Sequence, residues 1–173
     1  MKTLTEKDIN FILSNSKWRF KYSDIWNRYD VLLFPAFLLF IALSMPIGIG
    51  LTNFTICWAI IFLGFVVYFA TYHYKRIQAE KKFYSIPVTS DQISNLEIYL
   101  KELNWLIVDK NSTYILARTK TSLTSWGEII TILFKGNEVL FNSRPDVQSN
   151  TDSRDSVNFW AFYNLINTKG FSR

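Results

Sequence analysis

The sequence predicts a two-helix transmembrane hairpin followed by a small soluble α+β domain made of a helix, a four-stranded antiparallel meander and a helix. Three observations carry this. From Val31 to Tyr74 there is no Asp, Glu, Lys or Arg. That stretch is interrupted at Met45–Asn53, which holds one proline and two glycines. Beyond Thr89 the pattern changes to a capped helix, short β-forming runs separated by turn residues, and a final helical segment that is apolar nearly all round.

Residues 1–30 read as an amphipathic juxtamembrane segment. Thr5-Glu6-Lys7-Asp8 has the form of a capping box and starts a short helix through Ile9, Ile12 and Leu13. From Lys17 to Tyr22 basic and aromatic residues alternate. On a helix, Trp18, Tyr22, Trp26 and Tyr29 make one stripe at spacings of four, four and three. Its rings are expected at the headgroup boundary, with Lys and Arg meeting anionic lipid. Interleaved cations and rings also occur in single-stranded nucleic-acid binders. Beside an apolar stretch the lipid reading is preferred, and no nucleic-acid partner is expected.

The apolar stretch is assigned to residues 31–74. As one helix it would run about 66 Å, against a hydrocarbon core of roughly 30 Å. Proline and glycine break helix interiors. Spans are therefore expected near Val31–Ile47 and Phe54–Tyr72. A signal peptide would carry its shorter apolar region nearer the start.

Charge sets the orientation. Residues 1–30 hold six basic residues against four acidic, residues 75–82 hold four against one, and residues 83–173 hold nine of each. The whole excess of +5 flanks the apolar stretch. By the positive-inside rule both termini are cytoplasmic, in a multi-pass protein of a cell (inner) membrane. Tyr72, Lys75 and Arg76 join the expected interface set. The one histidine, His73, reads as a polar ring at headgroup level, and the one cysteine, Cys57, as a small apolar span residue.

Residues 75–88 read as a basic linker whose Pro87 favours an extended exit. Residues 89–173 form the cytosolic domain. Thr89-Ser90-Asp91-Gln92 is a second capping box, followed by Ile93, Leu96, Leu100 and Leu103 at helical spacing as far as about Asn104. Strands are expected at Trp105–Asp109, Tyr114–Thr119, Ile129–Phe134 and Glu138–Ser143, with a hairpin turn at Lys135-Gly136-Asn137. The last helix runs from about Ser156 to Asn167 and is apolar nearly all round, so it needs cover on two sides. Trp160 and Leu165 lie off its main apolar face and mark a possible interaction surface.

No phosphate-binding loop, nucleophile elbow or H-E-x-x-H motif is present. No catalytic residue, metal site or cofactor is expected. Trp126, opening the strongest strand with Gly127 and Glu128, either caps the core or floors a pocket. The segment Thr124–Phe134, continuing through Val139-Leu140-Phe141-Asn142-Ser143, resembles a hairpin in uncharacterised small bacterial membrane proteins with two spans and a compact cytosolic domain. That resemblance implies a bacterial inner membrane and no activity. The expectation is a non-enzymatic membrane-anchored interaction or assembly protein, with the bilayer and a protein partner or second copy as its partners. The alternative is a membrane-anchored small-ligand or lipid-sensing domain.

Overall fold

The structure, a computed structural model, describes residues 4–19, 33–50, 52–121, 127–145 and 155–170. The chain divides into two compact units. An apolar unit comprises Phe20–Ala79, and a sheet unit comprises Met1–Arg19 together with Glu80–Arg173.

In the sheet unit, α1 (Glu6–Asn15) starts at Thr5, whose hydroxyl oxygen accepts from the Asp8 N–H at 3.3 Å. The other half of the expected box differs: the Asp8 carboxylate accepts from the Thr5 hydroxyl at 2.6 Å. The helix stops at Ser16, which turns left-handed and donates its N–H back to the Ile12 carbonyl.

Within the apolar unit lies α2 (Leu33–Ile49), a 17-residue apolar helix. It continues through Pro46, two residues beyond the expected end, and Gly50 then turns at φ +94°. Thr52 and Thr55 cap the next helix reciprocally: the Thr55 N–H donates to the Thr52 hydroxyl (3.2 Å) and the Thr52 N–H to the Thr55 hydroxyl (3.0 Å). That helix, α3 (Asn53–Glu80), has 28 residues. It is long and apolar enough to cross a membrane. At 1.5 Å per residue it measures about 42 Å.

The sheet has five antiparallel strands where four were expected, in the order β1-β5-β4-β3-β2. They are β1 (Tyr84–Pro87), β2 (Leu106–Lys110), β3 (Tyr114–Arg118), β4 (Glu128–Lys135) and β5 (Glu138–Pro145). The four expected strands form the meander. The fifth comes from the supposed linker, where Tyr84–Pro87 pairs with Glu138–Phe141. Pro87 predicted an extended backbone, and an edge strand is where a sheet tolerates a proline. Between β1 and β2 the chain forms α4 (Ser90–Ser94) and α5 (Leu96–Glu102), one expected helix broken at Asn95. Both halves of the Thr89–Gln92 capping box are present. Asn104, at φ +57°, ends α5: its N–H reaches the Lys101 carbonyl and the Trp105 N–H the Leu100 carbonyl, both at 2.9 Å. The last helix, α6 (Asp155–Gly170), follows β5.

Alternation along the strands sorts two cores. On one face Ile115, Ala117, Ile130, Ile132, Val139 and Phe141 pack with Leu96, Leu100, Phe162 and Ile166 of α5 and α6. Phe141 and Phe162 stack at 5.0 Å between ring centroids. On the other face Tyr114, Leu116, Leu133 and Leu140 pack with Ile9 and Ile12 of α1. With cover on both faces, β4 is buried from Glu128 to Leu133. This accounts for its continuous apolar run where a one-sided strand would alternate.

Residues 4–19, expected to belong to the juxtamembrane segment, fold with the sheet unit. The physical reason is the apolar i, i+3 pair Ile9 and Ile12, which finds cover on the open face of the sheet.

Candidate functional site

Among the described residues, two buried side-chain amides of the sheet unit, Asn142 and Asn158, each organise a polar cluster, one on each face. The first is the junction where the chain leaves for the apolar unit and returns. Residues Ser16–Trp18 lie antiparallel to Lys81–Phe83. The Trp18 N–H donates to the Lys81 carbonyl and the Phe83 N–H to the Ser16 carbonyl, both at 2.9 Å. Lys17 and Lys82 are the bridged residues.

Asn142 of β5 locks this pairing to the sheet. Its side-chain oxygen accepts from the Trp18 indole N–H at 2.7 Å. Its amide donates to the Glu80 carbonyl at 3.0 Å and to the Lys82 carbonyl at 2.8 Å. Asn142 is 1% exposed, so these bonds satisfy an amide that would otherwise be costly to bury. The Trp18 ring packs on Phe83 at 5.4 Å, and the Arg144 guanidinium lies 4.1 Å from its centroid, within cation–π range.

The second cluster lies on the α6 face, where β4 begins and β5 ends. Glu128, Ser143 and Asn158 are all buried. The Ser143 hydroxyl donates to the Glu128 carboxylate. The Asn158 amide donates to the same carboxylate at 2.6 Å and to Ser143 Oγ at 2.9 Å. This cluster pins the first turn of α6 to the sheet. Strand β4 starts beside Gly127, at φ +84°, where an added Cβ would lie 3.0 Å from the Thr119 carbonyl oxygen. Only glycine fits that turn without strain.

The residues singled out in the sequence fall as follows. Trp18 belongs to the sheet unit. It is half-buried in the sheet unit, because Asn142 satisfies its N–H and Phe83 and Arg144 cover its ring. Tyr22, Trp26, Tyr29 and Trp126 lie outside the described residues. Tyr72 and Lys75 are exposed near the end of α3, with Arg76 half-buried. Trp160 is 55% exposed, and its neighbour one turn back, Val157, 63%. Leu165 is half-buried and packs against the main core.

Asn142, Glu128, Ser143 and Asn158 escaped the sequence reading. Glu128 left one signal, a lone carboxylate opening an otherwise apolar run. Asn142 and Ser143 resembled ordinary strand-end polar residues. Among the described residues no group of three His, Cys, Asp or Glu side chains is placed to hold a metal ion. Comparison with family models, with curated proteins and with solved structures finds no match to this chain.

Proposed function

We propose that the protein is a multi-pass, membrane-anchored interaction protein that works by binding another protein or a second copy of itself, not by catalysis. Its hairpin would fix the sheet unit at the cytoplasmic face of a cell membrane. The observation that carries this reading is the paired junction. Lys17 and Lys82 are bridged within the sheet unit, so the excursion through residues 20–79 begins and ends at one place. If α3 crosses the bilayer once, the chain must cross back elsewhere. The other described apolar helix available is α2. Its 17 residues sit at the short end of the span range.

The surface of both helices supports the same reading. Phe34, Phe37, Phe40 and Leu43 of α2 and Phe54, Ile60, Ile61 and Tyr68 of α3 are exposed. Apolar area of that extent calls for lipid or a partner. The polar end of α3, with Lys75, Arg76 and Gln78, projects past the length a bilayer core needs. By the positive-inside rule, those cations and Lys17, Arg19 and Lys82 favour the cytoplasmic side for both termini. Anchoring raises the effective concentration of the sheet unit near partners in the same membrane. The face offered to them is the outer side of α6, with Trp160 and Val157.

Single cysteines in a Cys57→Ser background, at Asp8, Asn53 and Ser112, test the topology with a membrane-impermeant thiol reagent. The expected result is labelling of Asn53→Cys from outside the cell, and of the other two only after the membrane is opened. Labelling of Asn53→Cys only after the membrane is opened, like the other two, would end the hairpin reading.

A further inference from the structure

The two hydrogen bonds of the junction flank Lys17 and Lys82 instead of joining them. This is the non-hydrogen-bonded type of antiparallel pair, which brings opposed side chains closest, with Cβ atoms about 4.5–5.5 Å apart. Like charges directly opposite each other destabilise a ladder. Trp18 and Phe83, the alternate residues, are turned toward the sheet, where Trp18 meets Asn142 and Phe83 is buried. Lys17 and Lys82 are therefore on the outer side, and both are exposed. Arg19, two residues on from Lys17, is exposed as well. Among the described residues none of the three has a carboxylate partner, and the nearby acid Glu80 is buried. The Lys82 ammonium has the Tyr84 ring at 5.4 Å from its centroid.

We infer that Lys17, Lys82 and Arg19 form a binding site for the phosphate of an anionic phospholipid headgroup. The bridge sets Lys17 and Lys82 opposite each other on one side of the pairing, and an anion held by both gains charge-assisted hydrogen bonds and offsets their mutual repulsion. The anion is a lipid and not a free phosphate because of where the site lies along the chain. The residues after Arg19 lead into the apolar unit, and those before Lys81 end the helix read as a span. A headgroup there is held by its own acyl chains at a high local concentration. The inference rests on the membrane reading above.

The test uses the full-length protein in mild non-ionic detergent, with bound lipid followed by native mass spectrometry. Phosphatidylglycerol, phosphatidylcholine and inorganic phosphate are the probes. Phosphatidylglycerol should be retained over phosphatidylcholine, and millimolar phosphate should not displace it. Replacing both lysines (Lys17→Gln with Lys82→Gln) should weaken retention about ten- to thirtyfold, at roughly a factor of five per basic residue. Lys82→Glu alone guards against a folding artefact. It turns the repulsive pair into an attractive one, so the protein should be at least as stable as wild type and still lose the lipid. Equal retention of the two lipids, displacement by phosphate, or wild-type retention in the variants would overturn the inference. Extraction of the wild-type protein from membranes at alkaline pH would remove the membrane reading as well. Resistance to extraction without lipid preference would remove the headgroup site alone.

Discussion

Replacing Asn142 by leucine removes the lock at the junction with little change in side-chain volume. Three partners lose their bonds: the Trp18 indole N–H and the carbonyls of Glu80 and Lys82. A buried polar group left unsatisfied costs about 1–3 kcal/mol. The bond to Glu80 is buried, while those to Trp18 and Lys82 are part-buried and nearer to water. Taking about 2 kcal/mol for the first and about 0.5 for each of the others gives a loss of about 3 kcal/mol. Typical domain stabilities are about 5–15 kcal/mol, so the variant should still fold. Trp18→Phe removes one donor and should cost about 1 kcal/mol, part of it from lost ring area. The two changes share a bond, so the double variant should fall short of the sum by about 0.5 kcal/mol or more. Pulse proteolysis with trypsin across a urea series, on the full-length protein in mild detergent, measures all three. Lys17, Arg19, Lys81 and Lys82 make the junction itself a set of trypsin sites, so early cuts should map there. A loss below about 0.5 kcal/mol for Asn142→Leu, or strict additivity of the pair, would refute the reasoning.

Two further outcomes follow from other parts of the sheet unit. Replacing Trp160 and Val157 by serine should change stability by no more than about 0.5 kcal/mol, because both are exposed. The same double variant should lose a co-purifying chain or one step of native mass in detergent. An unaltered mass and composition would exclude this face. The Tyr114 hydroxyl donates to the Asp109 carboxylate at 2.6 Å, and this bond, then burial, raises its pKa above the ordinary 10.0. A raised phenol holds its proton more tightly in the folded state. Its contribution is therefore complete below pH 10 and is lost as pH rises through the folded value. Tyr114→Phe should cost about 1 kcal/mol at neutral pH and flatten that alkaline loss. Stability curves of identical shape above pH 10 for the two proteins would show that Tyr114 does not titrate as described.

Several elements were legible because their causes are local. The Thr89–Gln92 box states its helix in four residues. The Gly136-Asn137 turn states its hairpin, in which Phe134 pairs with Val139 and Lys135 with Glu138. What escaped depends on partners distant in sequence. A four-residue strand ending in Pro87 reads as linker until β5 offers it an edge. The hydrogen bond from the Trp18 indole N–H to Asn142, 124 residues away, leaves no local trace. That Leu165 is half-buried against the core depends on the packing of α6 on the sheet.

The sequence by itself determined the apolar stretch, its interruption, the charges at its two ends and the meander. Each of these follows from a run of neighbouring residues and its solvent preference. Only the tertiary structure decided that Lys17 stands opposite Lys82 and that Glu128 is buried under Asn158. A strand aligns its side chains with whatever chain lies beside it, and backbone hydrogen bonds make that pairing without regard to the charges they bring together.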